Sequence, residues 1–199
     1  VESRMDLAGV NRDLLDFKNS KWAPDGKRWF TVFTNEKARK ELPQEPRVKV
    51  LIAGNDEGGN VKFIGAVGHH PKWPPAGSFI YAYAGGNGLI AAWDPDTGEG
   101  RELCRMPGEG HPSLHPDGRR MMTDAYTDDE AIVYCQDMET GQAEELHRAP
   151  HPRVDWQPQH PPYQVCHAHP VWSHDGRRIY FNDAVGELPE LRVLHHATS

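Results

Sequence analysis

No apolar run in this chain approaches the ~20 residues that a bilayer-spanning helix requires, and the N-terminus, Val1-Glu2-Ser3-Arg4-Met5-Asp6, lacks the charged-then-apolar pattern of a secretory signal. The expectation is a soluble, unanchored cytoplasmic protein, with the reservation that a first residue other than Met fits a chain whose leading segment is not represented. Basic residues are also in short supply. Lys and Arg number 22 against 29 Asp and Glu, a formal net charge of −7, and they form no block. The electrostatic footprint of a nucleic-acid binder is therefore missing, and an anionic partner would need a site with its own cations. Cysteine is sparse: Cys104, Cys135 and Cys166 are odd in number and too widely spaced for a C-x-x-C pair or a zinc knuckle, which points to reduced thiols. Helix signals are scarce as well. Seventeen prolines and no sustained 3.6-residue apolar stripe argue against helical repeats, and only residues 13–18 read as a helical turn.

What the chain does have is a repeat. Trp22-Ala-Pro-Asp25-Gly26-Lys27, Trp73-Pro-Pro-Ala-Gly77, Leu114-His-Pro-Asp117-Gly118-Arg119 and Trp172-Ser-His-Asp175-Gly176-Arg177 are four copies of one turn. Each precedes a short β-prone run, at 29–33, 79–83, 120–123 and 178–181, as expected where Asp-Gly closes a hairpin. Further apolar runs at 89–93 and 131–135 end in Asp94-Pro-Asp-Thr-Gly98 and Asp137-Met-Glu-Thr-Gly141, a second hairpin in each of those units. Two hairpins make a four-stranded sheet, and a spacing of roughly 40 to 60 residues is that of propeller blades. The fold expected is all-β: about four four-stranded β-propeller blades in one domain over 1–199, with units beginning near 22, 73, 114 and 172. A β-sandwich has no need of the same turn four times. Because propellers usually close with more blades, the chain reads as the C-terminal part of a larger ring.

Aligned on the Trp or Leu of each turn, His70, His111 and His169 all lie three residues before it, and Asn19 holds the place in the first unit. The strand entering this turn is the innermost of its blade, so one offset in successive blades aims side chains at one axial channel. His167 and His169 are i and i+2, which on an extended strand share a face. Gln164 is at an odd offset and joins them only where the loop through Val165 and Cys166 bends. Three imidazoles and an amide oxygen form a neutral ligand set that leaves a divalent ion its charge and open positions for water or a carboxylate. Ligand type alone admits Zn, Ni, Co, Fe or Mn. His69, His115, His147, His151, His160, His174, His195 and His196 share no such alignment and are expected mostly to face solvent, although His69 could exchange roles with His70.

Gln164-Val-Cys-His167-Ala-His169-Pro resembles the oligogalacturonate lyases of polysaccharide lyase family 22, seven-bladed propellers that act on short pectin fragments, over about residues 20 to 194. The resemblance implies that Gln164, His167 and His169 are metal ligands, that His111 in Gly110-His-Pro-Ser is the third histidine ligand, and that the metal is manganese. It also implies that His70 is the base that removes the sugar proton and that Arg47, in Pro46-Arg-Val-Lys-Val, lies near the substrate. By its offset alone His70 could instead be a fourth ligand, and Arg47 a surface charge. The scaffold departs from the pattern at Ala76, where the turn has Asp elsewhere, and at His174, a position usually given to Pro.

The implied reaction is β-elimination on an oligogalacturonide. Loss of the C5 proton of a 4-linked uronide requires its carboxylate to be neutralised, which a divalent cation does as a Lewis acid. Arg47 could share that work through a charge-assisted pair, and a neutral His70 could take the proton, a role typically worth about 10²–10⁴-fold. Two other readings compete: a non-catalytic TolB-like propeller that binds a protein or carbohydrate, and a metal-dependent hydrolase whose products lack the double bond. Neither G-x-S-x-G nor a Walker loop is present, and Gly85-Gly86-Asn87-Gly88 lacks the strand-to-helix setting of a phosphate loop.

Overall fold

The computed structural model describes residues 12–44, 47–150, 167–185 and 188–196; Gln164 and Cys166 fall outside them. Four sheets follow one another along the chain. The first comprises β1 (Asp16–Trp22), β2 (Arg28–Thr34), β3 (Lys49–Asn55) and β4 (Lys62–Ala66), and the second β5 (His69–Lys72), β6 (Ile80–Tyr83), β7 (Leu89–Trp93) and β8 (Gly100–Arg105). The third comprises β9 (Ser113–Leu114), β10 (Arg120–Tyr126), β11 (Glu130–Asp137) and β12 (Ala143–Pro150), and the fourth β13 (Val171–Trp172), β14 (Arg178–Val185) and β15 (Leu188–His195). Within each sheet the strands lie in chain order. This is the blade meander that the repeat predicts, and the fold is an all-β set of propeller blades.

The repeated turn joins the first two strands of every blade for a local reason. Asp25, Asp117 and Asp175 each accept a hydrogen bond from the backbone N–H two residues on, at 2.9, 2.8 and 3.1 Å. The following Gly26, Gly118 and Gly176 adopt φ of 69°, 75° and 70°, a region that favours glycine. Gly77 keeps that conformation at 68° although Ala76 has no side-chain acceptor to offer. The helical reading of residues 13–18 is corrected: only Arg12–Leu14 forms a 3-10 turn, and Asp16, Phe17 and Lys18 pair with Thr34, Phe33 and Val32. An isolated turn of helix is marginal. The ladder to β2, and the Phe17 ring 4.8 Å from that of Phe33, supply what it lacks.

The chain divides into two compact units, Val1–Leu103 and Cys104–Ser199. In the first, alternate residues of β2 and β3 (Phe30, Val32, Leu51 and Ala53) pack with Ile80, Ala82 and Trp93 in one apolar core. The turns of its two blades are tied where Arg28 Nη2 donates to the Gly77 carbonyl at 2.7 Å. In the second unit Met122, Val133, Cys135, Ala168, Ile179 and Phe181 form the core. Burial pushes the Cys135 and Cys104 thiols up to about 11, so both are poor nucleophiles.

The expectation that the unaligned histidines face solvent fails at His115. It is buried, its Nε2 lies 3.2 Å from the Gly176 carbonyl, and its ring stands edge-on to Trp172 at 4.6 Å. The turn carbonyl of the fourth blade needs a donor, and His115 is placed to supply it as Arg28 does in the first unit. His147 is half-buried with Nε2 3.2 Å from Asp183, and His69 and His196 are also half-buried, whereas His174 and His195 are exposed. His151 and His160 lie outside the described residues.

Candidate metal centre

Asn19, His70 and His169 share more than an offset. All three adopt left-handed backbone, with φ of 55°, 55° and 46°. The strand register skips at the same place in the first two blades, between Lys18 and Lys21 and between His69 and Lys72. Such a bulge breaks the in-out alternation and re-aims a side chain. The offset read from the sequence is therefore a real structural position. His111 reaches the site by another device, an acidic side chain from the next strand.

That side chain is Asp124, on β10 and fully buried. Its carboxylate accepts from the backbone N–H of His111, lies 2.9 Å from His111 Nδ1, accepts from the Tyr126 hydroxyl, and accepts from the His169 backbone N–H at 2.9 Å. Burial works to raise the carboxyl's pKa, but the hydrogen bonds from His111 and Tyr126 outweigh it and hold the group below the ordinary Asp range. Tyr126 is saturated too, since its oxygen accepts from Ala168 N–H at 2.9 Å. A carboxylate can only accept, so His111 donates from Nδ1, and in the neutral ring the free lone pair is then that of Nε2.

Around this anchor His111, His167 and His169 each offer a nitrogen, all within 4.8 Å of one another. The ring of His111 lies 3.5 Å from that of His169 and 5.3 Å from that of His167. Two nitrogens each bonded at about 2.1 Å to one ion lie no more than about 4.2 Å apart, so a shared cation would draw these rings somewhat closer together. The residues fit a divalent cation by donor chemistry: nitrogen ligands, one with its far nitrogen fixed by a carboxylate, as metal-bound histidines commonly are. His111 closes the site from within, and His169, exposed, leaves it open to solvent.

His167 and His169 come together by a different route from the one expected. Residues 167–170 belong to no strand. Instead the segment is held by Asn182 N–H, which donates to the Ala168 carbonyl at 2.8 Å, by Asn182 Nδ2, which donates to the His167 carbonyl at 3.1 Å, and by the left-handed His169. Gln164 lies outside the described residues. His70 and Arg47 belong to the first unit. His70 is half-buried, with the His69 ring edge-on to it at 4.7 Å, while His69 itself stacks on Tyr83 at 4.7 Å. Arg47 is exposed and lies 3.4 Å from Glu36, which also pairs with Lys18 and, at 3.1 Å, with Lys49. Burial alone would raise Glu36, but Lys18 and Lys49 bring it down to about 2. Sequence reasoning missed Asp124 and Tyr126. The available signal was a charged residue in the apolar phase of β10, two residues after Met122.

No family model matches the chain. Among curated proteins, an oligogalacturonate lyase of Dickeya dadantii (strain 3937) is 27% identical, over 69% of this chain and 40% of the relative. Among solved structures, an oligogalacturonate lyase in complex with manganese superposes with a TM-score of 0.58 at 25% identity, covering 83% of this chain and 45% of that one. TolB from Acinetobacter baumannii superposes with a TM-score of 0.55 at 16% identity, over 95% of this chain and 41% of that one, a likeness of fold alone. This chain thus spans less than half the length of each of these three proteins, and what the comparisons establish is a set of β-propeller blades with weak, partial sequence likeness to an oligogalacturonate lyase.

Proposed function

We propose that the chain is part of a manganese-dependent lyase that cleaves short oligogalacturonides by β-elimination. The observation that carries this reading is the three-histidine group, His111, His167 and His169, on blades similar to those of a lyase solved with manganese. The TolB likeness accounts for the blades equally well but gives no reason for three clustered imidazoles anchored by a buried carboxylate.

In this reading His111, His167 and His169 hold the cation, with Gln164 as a further ligand. When bound, a divalent cation neutralises a uronate carboxylate and so lowers the cost of the charge that moves onto it. His70 is assigned the C5 proton: the C5–H electron pair becomes the new C4=C5 bond, the C4–O bond breaks with its pair left on the departing sugar oxygen, and that oxygen takes up a proton from water. The stacking of His69 on Tyr83 supports giving this role to His70 rather than to its neighbour. Arg47 is assigned to the substrate's carboxylates, for which it would exchange an exposed pairing with Glu36. Exposed ion pairs are worth about 1 kcal/mol or less, so that exchange is cheap.

The test is ultraviolet absorbance of an unsaturated uronide from an oligogalacturonide. Product should form with Mn2+, disappear with chelator, and fall by about 10²-fold or more in His70→Ala while Mn2+ binding persists. Metal bound without any such product sinks the lyase reading.

A further inference from the structure

The three histidines reach the centre from two segments, 111 on one side and 167–169 on the other, and one carboxylate touches both. Asp124 fixes the His111 ring through Nδ1 and its backbone through N–H, and it fixes His169 through backbone N–H. The hydroxyl of Tyr126 donates to that same carboxylate and accepts from Ala168 N–H, between the two outer histidines. The Tyr126 ring also lies 4.9 Å from the His167 ring.

The space for this arrangement is built in. A Cβ on Gly110 would fall 1.9 Å from Asp124 Oδ1, so only glycine lets the carboxylate reach the His111 backbone. At the equivalent place in the other three units stand Lys18, His69 and Ala168, all with side chains. Ten residues after the turn's Trp or Leu, where the third blade has Asp124, the others have Val32, Tyr83 and Asn182. The glycine and the aspartate occur together in one blade only.

We infer that Asp124, backed by Tyr126 and admitted by Gly110, is the positioning residue of the metal centre, setting the places of all three histidine donors at once. It does not touch the ion; it acts through the ligands. The inference rests on the reading of this group as a metal site but not on the reaction proposed for it.

The experiment uses the full chain stripped with chelator and titrated with Mn2+, with free Mn2+ followed by electron paramagnetic resonance, and separately loaded with Co2+ to record its visible bands. Asp124→Asn is expected to weaken Mn2+ binding by about 10–100-fold and to change the Co2+ bands, with circular dichroism unchanged. Tyr126→Phe, which removes the link to Ala168, is expected to lose about several-fold. Wild-type affinity and wild-type Co2+ bands in a folded Asp124→Asn overturn the inference. Where Asp124→Asn does not fold, Tyr126→Phe decides it by the same two readouts. A wild-type chain that binds no Mn2+ overturns the metal reading and this inference with it. Mn2+ held by the wild type and weakened in Asp124→Asn supports the inference even where no unsaturated product forms.

Discussion

Val32 in the first unit and Asp124 in the second stand at one topological position, ten residues beyond the Trp or Leu of the blade turn, and both are fully buried. Val32 is surrounded by Phe30, Leu51, Ala53 and other apolar residues of its core. Asp124 is surrounded by donors: two backbone N–H groups, an imidazole and a phenol. The blade tolerates either environment because each is complete. Dispersion and exclusion of water stabilise the first, and a saturated set of hydrogen bonds offsets the desolvation of the second. The difference teaches that the scaffold is indifferent to what occupies this position and intolerant of a mismatch between occupant and surroundings.

Exchanging the two occupants is the sharpest way to break the comparison. Val32→Asp puts a carboxylate among apolar neighbours and is expected to cost about 3–5 kcal/mol, read as a large fall in the urea midpoint of the first unit. An unchanged midpoint would mean that donors can be recruited there after all. Asp124→Val leaves the His111 ring, the His111 and His169 N–H groups and the Tyr126 hydroxyl without their acceptor; each that stays buried and unsatisfied costs about 1–3 kcal/mol, and metal affinity should fall as well. His169→Ala separates the metal from the fold. Because His169 is exposed, stability should change by about 0.5 kcal/mol or less, while Mn2+ uptake by equilibrium dialysis should fall sharply.

Smaller effects sharpen the contrast in the first unit. Glu36, held at about 2 against an ordinary value of 4.5, contributes stability that is present above pH 4.5 and is lost as pH falls towards 2. Glu36→Gln should therefore flatten the acid limb of a urea-midpoint-versus-pH curve, by about 1 kcal/mol or less because the carboxylate is partly exposed. Last, Ala76→Asp should restore to the second turn the side-chain acceptor that the other three have. A rise on the order of one degree in the thermal midpoint is expected, and a fall would show that this turn had been tuned without it.

The blades were legible because their turn is written locally. An Asp that accepts from the backbone two residues on, and a glycine in the left-handed region, need no tertiary information, and the strands that follow are short β-prone runs. Two of the three clustered histidines, His111 and His169, were legible for the same reason, since an offset counted from a local turn survives folding, and His167 was legible as the partner in a His-x-His pair. Asp124 was not, because its importance lies in where Gly110 leaves room and in which backbone groups arrive from 45 residues away. His115 was misread on similar grounds: its partner, the Gly176 carbonyl, is 61 residues distant. The left-handed turn of His169, which replaces the simple strand face expected of His167 and His169, likewise depends on Asn182 across the blade.

That 45-residue separation also orders events in time. A ribosome delivers His111, Asp124 and Tyr126 well before His169, and until the later segment arrives the carboxylate lacks one of its four donors, the His169 N–H. In the proposed metal reading, ion capture is therefore among the last acts of maturation for this part of the chain, and a nascent product released before residue 167 would carry the anchor and His111 without the other two histidines.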